Sequence, residues 1–420
     1  MANRFGILDW FGARLVLVAA MLCMAASAQE SQVEWPMEEL RKVPKVYDAQ
    51  EYKTNAVEVA FLEGLPWHGK ATRMFCYYGV PKHASGAKVP GVVLVHGGYG
   101  SAFYRWVKFW NDRGYAAVSM DTCGFISGNT VGEEQFGHIR HACGGPCGWG
   151  GFDQLSEKIS DQWMYHAVAD AIIANSFLRS LPGVDQNRIG ITGVSWGGVI
   201  ACIAAAKDDR FCFAAPVYGC GGFLRNSPMW REEVAKMGVE GVAKWERLWD
   251  PTLFLPDLKV PVLWLAGTND RAFSIPALMK SFGSVKGEKH LSLKVRLPHG
   301  HWPVSEEAPE VTSFADSLCK GGRRLTNLAP VEFCRASRHA SCEVSADAMP
   351  KEVCLVYTDG TDDSWEKREW KINAAKLDAQ GKRIEAEVPA SATAFFFNVV
   401  DSEGRVSSSV VLGQQLDGCK

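Results

Sequence analysis

The residue with the clearest chemical potential is Ser195, which lies between two glycines in the segment Gly193-Val-Ser-Trp-Gly197. An apolar run typical of a buried strand ends at Val194, and an alanine-rich run typical of a helix follows Gly197. A strand that turns this sharply into a helix leaves no room for side chains two positions from the serine, so both positions require glycine. The turn would present the Ser195 hydroxyl above the sheet, at the positive end of the helix. The pattern predicts a nucleophilic serine; a serine that only caps the helix is the alternative.

An acidic partner for the serine is expected later in the chain, at the end of another buried strand. The apolar run Val260–Ala266 leads into Gly267-Thr-Asn-Asp270. Because the carboxyl ends of parallel strands meet at one edge of a sheet, Asp270 would lie on the same edge as Ser195. We therefore predict Asp270 as the acid, with a turn-forming Asn-Asp pair as the alternative.

Two histidines follow the next strand-like run, in the segment Pro298-His-Gly-His301. An imidazole between the nucleophile and the acid can take the serine proton and return it to the leaving group. We favour His301 as this base, because a Gly-His pair followed by a helix rich in acidic and apolar residues matches the usual arrangement. His299 is the alternative base. A metal site formed by the two histidines is disfavoured, because no third ligand is evident nearby.

A glycine-rich loop is suited to bind the negative charge that develops on a substrate oxygen. An apolar strand is followed by His96 and then by Gly97-Gly-Tyr-Gly100. Backbone N–H groups in such a loop can approach the oxygen closely, and each donor typically stabilises the transition state by about 3 kcal/mol. We predict one donor at Gly98 or Tyr99 and a second at Trp196, the residue after the nucleophile. His96 precedes the serine in the chain and is expected to hydrogen-bond within the loop.

The elements that must position these residues alternate between apolar runs and helical stretches, of which 161–178 is the clearest. Continuous apolar runs indicate strands that are buried on both faces. The alternation predicts an α/β fold, a mostly parallel sheet with helices on both faces. The predicted strands are 57–62, 71–80, 89–95, 116–120, 189–194, 211–217, 260–266 and 291–297.

The ends of the chain differ in character from this central region. Residues 1–28 resemble a secretory signal peptide, with basic residues, an apolar core and the cleavage sequence Ala26-Ser-Ala28. The apolar core is too short to predict a membrane span, so we expect a secreted or periplasmic protein without stable membrane insertion. Short strands with turn signals follow residue 321 and predict a small β-sandwich of the immunoglobulin or fibronectin type. The predicted organisation is a signal peptide 1–28, an N-terminal arm 29–54, a catalytic domain 55–322 and an all-β domain 330–413.

Two long segments leave the carboxyl ends of predicted strands and should overhang Ser195. They span about residues 124–160 and 219–258, and they contain Trp149, Trp230, Trp245 and Trp249. We consider these tryptophans as walls of a substrate site, since sugar-binding sites often use flat aromatic faces. The alternative is that they pack inside the inserted segments.

Composition excludes some classes of partner. The 420 residues carry 45 Lys and Arg against 47 Asp and Glu, a net charge of −2, which argues against nucleic-acid binding. The chain has 13 cysteines, of which Cys23 lies in the leader. An oxidising compartment permits disulfides among the others, and Cys143 and Cys147 are close enough in sequence for a local bridge.

These features together resemble secreted α/β-hydrolases of the dienelactone-hydrolase and prolyl-oligopeptidase-like group, and more closely bacterial acetylxylan esterases. The resemblance covers about residues 55–322 and implies the α/β-hydrolase fold, with serine, acid and histidine in that chain order. No metal or organic cofactor is expected. The segments that carry the resemblance are Val93–Gly98, Asn111–Ala117, Gly148–Gln154, Asp161–Trp163, Gly193–Gly198, Ala266–Asp270 and Pro298–His301.

The sequence therefore predicts a secreted serine hydrolase of carboxylic esters that removes acetyl groups from polysaccharide, with small esters as the other substrate class. A prolyl-oligopeptidase-like peptidase is the first alternative. It is disfavoured because such peptidases carry a large propeller, whereas only residues 29–56 lie between the leader and the first strand. A non-catalytic carbohydrate-binding protein is the second alternative, disfavoured because every catalytic element occurs in order.

Overall fold

The computed structural model describes residues 33–127, 138–301 and 303–413. The chain divides into two compact units, Met1–Pro36 and Met37–Lys420, and the elements described below belong to the second. The predicted leader and its cleavage site lie outside the described residues. No helix in the described ranges combines the length and the apolar character that are needed to cross a membrane.

A nine-stranded mixed sheet forms the centre of the second unit. Its strands are β1 (Val46–Tyr47), β2 (Glu58–Glu63), β3 (Arg73–Gly79), β4 (Val89–Val95), β5 (Ala116–Met120), β8 (Val184–Val194), β9 (Ala214–Val217), β10 (Val262–Gly267) and β11 (Lys289–Lys294), with the hairpin β6 (Phe125–Ser127) and β7 (His138–Arg140) outside it. The spatial order is β1-β2-β3-β5-β4-β8-β9-β10-β11. The strands from β5 to β11 in this order are parallel, whereas the first three are antiparallel.

This topology brings four loops to one edge of the sheet. The chain leaves β4 toward Gly97, β8 toward Ser195, β10 toward Asp270 and β11 toward His299. These four strands lie within five adjacent positions of the sheet. Because all of them are parallel, their carboxyl ends meet, as the sequence predicted.

Eight α-helices accompany the strands. They are α1 (Met37–Leu40), α2 (Tyr104–Asp112), α3 (Trp163–Ser180), α4 (Trp196–Lys207), α5 (Arg231–Trp249), α6 (Ile275–Ser284), α7 (Pro303–Glu306) and α8 (Pro309–Cys319) within the described residues. Helices α3 and α4 pack on each other and on the central strands. The end of α2 is joined to α8 through Asp316, which accepts from Arg113 at 3.0 Å and from the Tyr115 hydroxyl at 2.9 Å. The buried faces of β4 and β9 explain why their sequences are continuously apolar.

The carboxyl-terminal region is a β-sandwich. Its strands are β12 (Asn327–Leu328), β13 (Glu332–Cys334), β14 (His339–Ser345), β15 (Glu352–Thr358), β16 (Lys371–Ala374), β17 (Lys376–Leu377), β18 (Arg383–Glu387), β19 (Ala394–Val400), β20 (Val406–Ser408) and β21 (Leu412–Gly413). Two five-stranded antiparallel sheets contribute side chains such as Ala340, Ile384 and Phe397 to one buried core. Strand β20 and its neighbour lie against β11, where the Leu293 N–H donates to Ser408 Oγ at 2.8 Å.

The expected fold class is therefore confirmed: an α/β sheet with helices, followed by a small all-β region. Several expected strands are shorter than the sequence indicated: 71–80 is reduced to Arg73–Gly79 and 211–217 to Ala214–Val217. β11 ends at Lys294 instead of residue 297, because Arg296 adopts a left-handed φ of 55° that a strand does not accommodate.

The described cysteines are thiols, and they do not pair as their spacing in sequence suggested. The Cys147 thiol hydrogen-bonds with Cys123, on the loop after β5, instead of joining Cys143. A second contact brings Cys212 Sγ to 3.6 Å from Cys319 Sγ. The thiols that contact each other are distant in sequence and are brought together by the fold. Their spacing in the sequence therefore does not reveal these contacts.

Candidate active site

Ser195 occupies the turn between β8 and α4, with φ 59° and ψ −117°. This left-handed backbone is rare for a residue with a side chain and persists only where the surroundings impose it. The flanking glycines are required by close contacts. A Cβ atom at Gly193 would lie 2.2 Å from the Gly197 carbonyl oxygen, and one at Gly197 would lie 2.0 Å from the Val95 carbonyl oxygen. The two glycines therefore permit the turn that exposes the serine hydroxyl.

His299 lies between Ser195 and Asp270. Its Nε2 is 3.0 Å from Ser195 Oγ, and its Nδ1 is 2.7 Å from Asp270 Oδ2. The buried Asp270 also accepts hydrogen bonds at Oδ1 from the N–H groups of Ala272 and Phe273, at 2.7 and 2.9 Å. These two donors fix the carboxylate. With a proton on Nδ1 directed at Asp270, His299 Nε2 can accept the serine proton.

The sequence favoured His301 for this place, and the geometry corrects that preference. His301 Nε2 accepts a hydrogen bond from the Gly97 N–H at 2.7 Å, and its Nδ1 lies 2.8 Å from Glu306 Oε1. The ring is thereby directed toward the glycine-rich loop and away from Asp270. The alternative residue, His299, is the one that joins the serine to the acid.

Two aromatic side chains hold the His299 ring. The Tyr218 ring lies 4.5 Å from it between centroids, and the Phe273 ring lies nearly parallel to it at 6.0 Å. The Tyr218 hydroxyl donates to the Pro298 carbonyl oxygen at 2.6 Å, and burial raises the pKa of Tyr218, which keeps this donor protonated. Sequence analysis missed both residues, since an aromatic after an apolar strand has no feature that distinguishes it from a core residue.

The glycine-rich loop approaches the nucleophile closely. A Cβ atom at Gly97 would lie 3.0 Å from Ser195 Cβ, and one at Gly98 would lie 3.0 Å from Trp196 Cδ1. Within the described ranges, no backbone carbonyl accepts from the Gly98 or the Trp196 N–H. Both groups can therefore serve a substrate oxygen.

His96 is bonded within the loop, as the sequence predicted. Its Nε2 accepts from the Thr122 N–H at 3.0 Å, so the ring proton is on Nδ1, which donates to the Gly97 carbonyl oxygen at 2.7 Å. His96 is 1% exposed and takes no direct part in the contacts of Ser195.

Three of the four tryptophans that were considered as substrate walls are instead packed in the interior. Trp230, Trp245 and Trp249 are buried, and their indole N–H groups donate to protein oxygens at 2.7, 2.7 and 2.9 Å. Trp230 and Trp245 pack edge-on against the buried Trp196. These tryptophans hold the inserted segment against the nucleophile turn, which was the alternative interpretation.

Trp149 differs from the other three because it supports an exposed aromatic side chain. Its ring centroid lies 4.5 Å from that of Tyr99, which is 65% exposed and has a φ of 60°. A Cβ atom at Gly98 would lie 3.5 Å from the Trp149 ring. The pair therefore borders the loop beside Ser195.

The turn that carries Asp270 is fastened to the β-sandwich. Asn269 Nδ2 donates to the carbonyl oxygens of Glu366 and Arg368, at 2.9 and 2.8 Å. The Thr268 hydroxyl donates to Asn269 Oδ1 at 2.7 Å, which orients the amide for these two bonds. No feature of the sequence indicated this role, because a turn asparagine next to an acid has a local explanation.

A nucleophile, an imidazole, a carboxylate and two backbone donors in this arrangement suit acyl transfer through a serine. Within residues 33–127, 138–301 and 303–413, no cluster of three or more His, Cys, Asp or Glu side chains is placed to hold a metal ion.

Comparison with known proteins gives two family matches and several similar structures. Residues 32–227 match the family model of acetyl xylan esterases, and residues 148–317 match that of the prolyl oligopeptidase family. The chain is similar in structure to an acetyl xylan esterase from Paenibacillus sp. R4, with 19% identity, a TM-score of 0.53, and coverage of 69% of this chain and 96% of that chain. For acetyl xylan esterase 1 from Thermoanaerobacterium sp. JW/SL YS485 the identity is 17%, the TM-score 0.50 and the coverage 69% and 95%.

The protein thus has the α/β-hydrolase fold, as the resemblance in sequence implied. The two family matches overlap on residues 148–227, which include Ser195. The match to the acetyl xylan esterase family supports an enzyme, a serine hydrolase that acts on carboxylic ester bonds.

We predict that Asn269→Ala destabilises the protein by about 1–3 kcal/mol, because two partly buried hydrogen bonds between the acid turn and the β-sandwich are lost. Asn373→Ala, an exposed position in β16, should change the free energy of unfolding by less than about 0.5 kcal/mol. Urea unfolding followed by tryptophan fluorescence measures both values. Equal stabilities of the two variants would contradict the role given to Asn269.

Proposed function

We propose that this protein is a secreted serine esterase that removes acetyl groups from polysaccharide. The observation that carries the proposal is the contact of His299 with both Ser195 Oγ and Asp270 Oδ2, beside one backbone donor on the glycine-rich loop and another at Trp196. The acetyl xylan esterase match over residues 32–227 supports the ester as the bond that is cleaved.

Acylation would begin when Ser195 Oγ attacks the ester carbonyl carbon while His299 Nε2 takes the hydroxyl proton. Asp270 keeps the imidazole in the required orientation and stabilises its charged form. The carbonyl oxygen becomes negatively charged and accepts hydrogen bonds from the Trp196 N–H and from the N–H of Gly98 or Tyr99. His299 then gives its proton to the sugar oxygen as the bond to the acyl carbon breaks.

Deacylation repeats these steps with water. His299 takes a proton from the water as its oxygen attacks the acyl carbon, and the same donors bind the oxyanion. Collapse of the intermediate releases acetate, and the proton on His299 returns to Ser195 Oγ. The chain's own residues supply every proton transfer in this sequence.

A sugar ring is the leaving group favoured by the surface beside the nucleophile. The exposed Tyr99 ring packs on Trp149 and presents an aromatic face. Tyr99 directly follows Gly98, which lies close to Trp196. The C–H groups of a pyranose carry small positive charges and pack well on the negative face of an aromatic ring. Tyr99 keeps an unfavourable backbone conformation there, which is common at sites that bind ligands.

Export is supported by the basic residues, apolar core and Ala26-Ser-Ala28 sequence of the leader. A polymeric substrate cannot enter a bacterial cell, so an enzyme that acts on it must be outside the cytoplasm. The proposed substrate and the proposed location are therefore consistent.

A peptidase is the second candidate, because residues 148–317 match the prolyl oligopeptidase family. The same serine, acid and histidine would cleave an amide through an acyl-enzyme. Faster hydrolysis of proline-containing peptide amides than of acetyl esters would favour this candidate over the esterase.

We predict that His299→Ala lowers kcat for p-nitrophenyl acetate by at least about 1,000-fold, because the serine loses its base. The variant should also react far more slowly with a fluorophosphonate, which labels an activated serine. His339→Ala, at an exposed position in the β-sandwich, is the matched control and should keep wild-type rates. Activity of His299→Ala near the wild-type level would refute the assignment of the base.

The substrate is tested with acetylated xylan and protein that begins at Gln29. We expect acetate release from xylan, and we expect it to fall to background in Ser195→Ala. Hydrolysis of p-nitrophenyl acetate without release from xylan would retain the serine esterase and exclude xylan as the substrate. Absence of both activities would contradict the proposed function itself.

Tyr99→Ala tests the aromatic platform. We expect the ratio of kcat/KM for acetylated xylan to kcat/KM for p-nitrophenyl acetate to fall by about 5- to 30-fold, because the sugar ring loses its packing partner. Tyr99→Phe keeps the aromatic face and should preserve the ratio within about twofold. An unchanged ratio in Tyr99→Ala would argue against sugar binding at this place.

A further inference from the structure

The loop that borders Ser195 is fixed at one residue, Gly97, by two histidines that do not touch the serine. The Gly97 N–H donates to His301 Nε2 at 2.7 Å, and the Gly97 carbonyl oxygen accepts from His96 Nδ1 at 2.7 Å. His96 and His301 are both buried. Gly97 is thus held on both sides, at the position where a Cβ atom would lie 3.1 Å from His301 Nε2.

The bond at the carbonyl oxygen has a direct consequence for the neighbouring N–H. In a trans peptide the C=O and the following N–H point in opposite directions. Because His96 binds the Gly97 carbonyl oxygen, the Gly98 N–H points to the other side of that peptide. A rotation of this peptide would exchange donor and acceptor and would place an oxygen where a donor is needed.

His301 has a carboxylate partner of its own. Its Nε2 accepts from Gly97, so the ring proton lies on Nδ1, which donates to Glu306 Oε1 at 2.8 Å. Glu306 is 3% exposed and is paired with Arg105, whose Nη2 lies 2.9 Å from Oε1. Burial raises the pKa of Glu306, but the hydrogen bonds from His301 and Arg105 outweigh burial, and the net pKa is lowered. Glu306 therefore remains ionised at neutral pH and fixes the tautomer of His301.

Helix α2 and the segment before it complete the support. The Phe103 ring lies 4.9 Å from the His301 ring, and the Trp106 indole N–H donates to the Glu306 carbonyl oxygen at 2.9 Å. These contacts hold the plane of the His301 ring and the backbone of Glu306 without involving Ser195 or Asp270. The assembly is a second histidine–carboxylate pair, separate in its contacts from the one that includes His299.

We propose that His301, oriented by Glu306, is a positioning residue. It holds the N–H of the peptide before Gly97, and His96 holds the carbonyl oxygen of the peptide after it, so that Gly97 is fixed and the Gly98 N–H is directed at the substrate oxygen. This role rests on the proposed serine esterase function. The Pro298-His-Gly-His301 segment then supplies both halves of the site: His299 moves the proton, and His301 sets the geometry of the oxyanion donor. Neither histidine can replace the other, because each faces a different partner.

The test combines kinetics with hydrogen–deuterium exchange on the whole chain from Gln29. His301→Leu removes the acceptor for the Gly97 N–H and keeps an apolar side chain against Phe103. We expect kcat for p-nitrophenyl acetate to fall by about 10- to 100-fold with KM within about twofold, since a misplaced oxyanion donor affects the transition state selectively. We also expect exchange at the Gly97 amide to accelerate by about tenfold or more.

Two further variants keep the test decisive if His301→Leu folds poorly. His301→Gln retains an acceptor near the position of Nε2 and should restore most of kcat and of the Gly97 protection. Glu306→Gln weakens the orientation of the ring and should give an intermediate loss of both. His290→Leu is the matched control: His290 is paired with Glu288 at 2.9 Å, at the start of β11 and far from the catalytic edge, and its loss should leave kcat unchanged.

Either of two results would overturn the proposal. One is a folded His301→Leu protein with kcat within about threefold of wild type. The other is a loss of kcat without faster exchange at Gly97, which would mean that His301 acts through another contact. If the wild-type protein hydrolyses no ester, the proposed function fails, and exchange at Gly97 still decides whether His301 holds the loop.

Discussion

The close approach of the nucleophile turn to its neighbours is the constraint on which the rest of the site depends. Ser195 can hold its left-handed backbone only because Gly193 and Gly197 allow β8, α4 and the end of β4 to come within contact distance. A single added methyl at Gly197 would collide with the Val95 carbonyl oxygen. The close contact between Gly197 and the end of β4 therefore also brings the chain that follows β4 next to Ser195. The close contacts at Gly193 and Gly197 therefore position both the serine and the glycine-rich loop.

The two histidines near residue 300 show how a short segment can serve two positions in space. His299 is directed to the acid at the end of β10, and His301 is directed to the loop after β4. Each ring has a buried carboxylate that fixes its proton on Nδ1, Asp270 for the first and Glu306 for the second. The chemistry of the two pairs is alike. We propose that their different neighbours give one an acid–base role and the other a structural role in the oxyanion site.

Much of this arrangement could be predicted because it follows from local pattern and chain order. A glycine-flanked serine between a strand and a helix has few other uses, and acids at the ends of parallel strands must lie on the same edge. The choice between His299 and His301 could not be made from the sequence. Residues two apart on an irregular loop need not face the same side, and a left-handed turn at Arg296 ends the regular strand before this loop begins. That turn contains no glycine or asparagine, so the sequence does not indicate a left-handed residue there.

Contacts between distant parts of the chain were the other feature that the sequence did not reveal. The three tryptophans of residues 219–258 were considered as a sugar-binding wall, yet all three are buried and donate to protein oxygens, and two of them pack against Trp196. The carboxyl-terminal β-sandwich was predicted as a fold, but its bonds to Asn269 depend on how it docks, which no local pattern encodes. Because those bonds act on the residue next to Asp270, the sandwich contributes to the geometry of the acid. A small displacement of a catalytic group can lower the reaction rate strongly. An appended domain that fixes one turn can therefore affect catalysis without contacting the substrate.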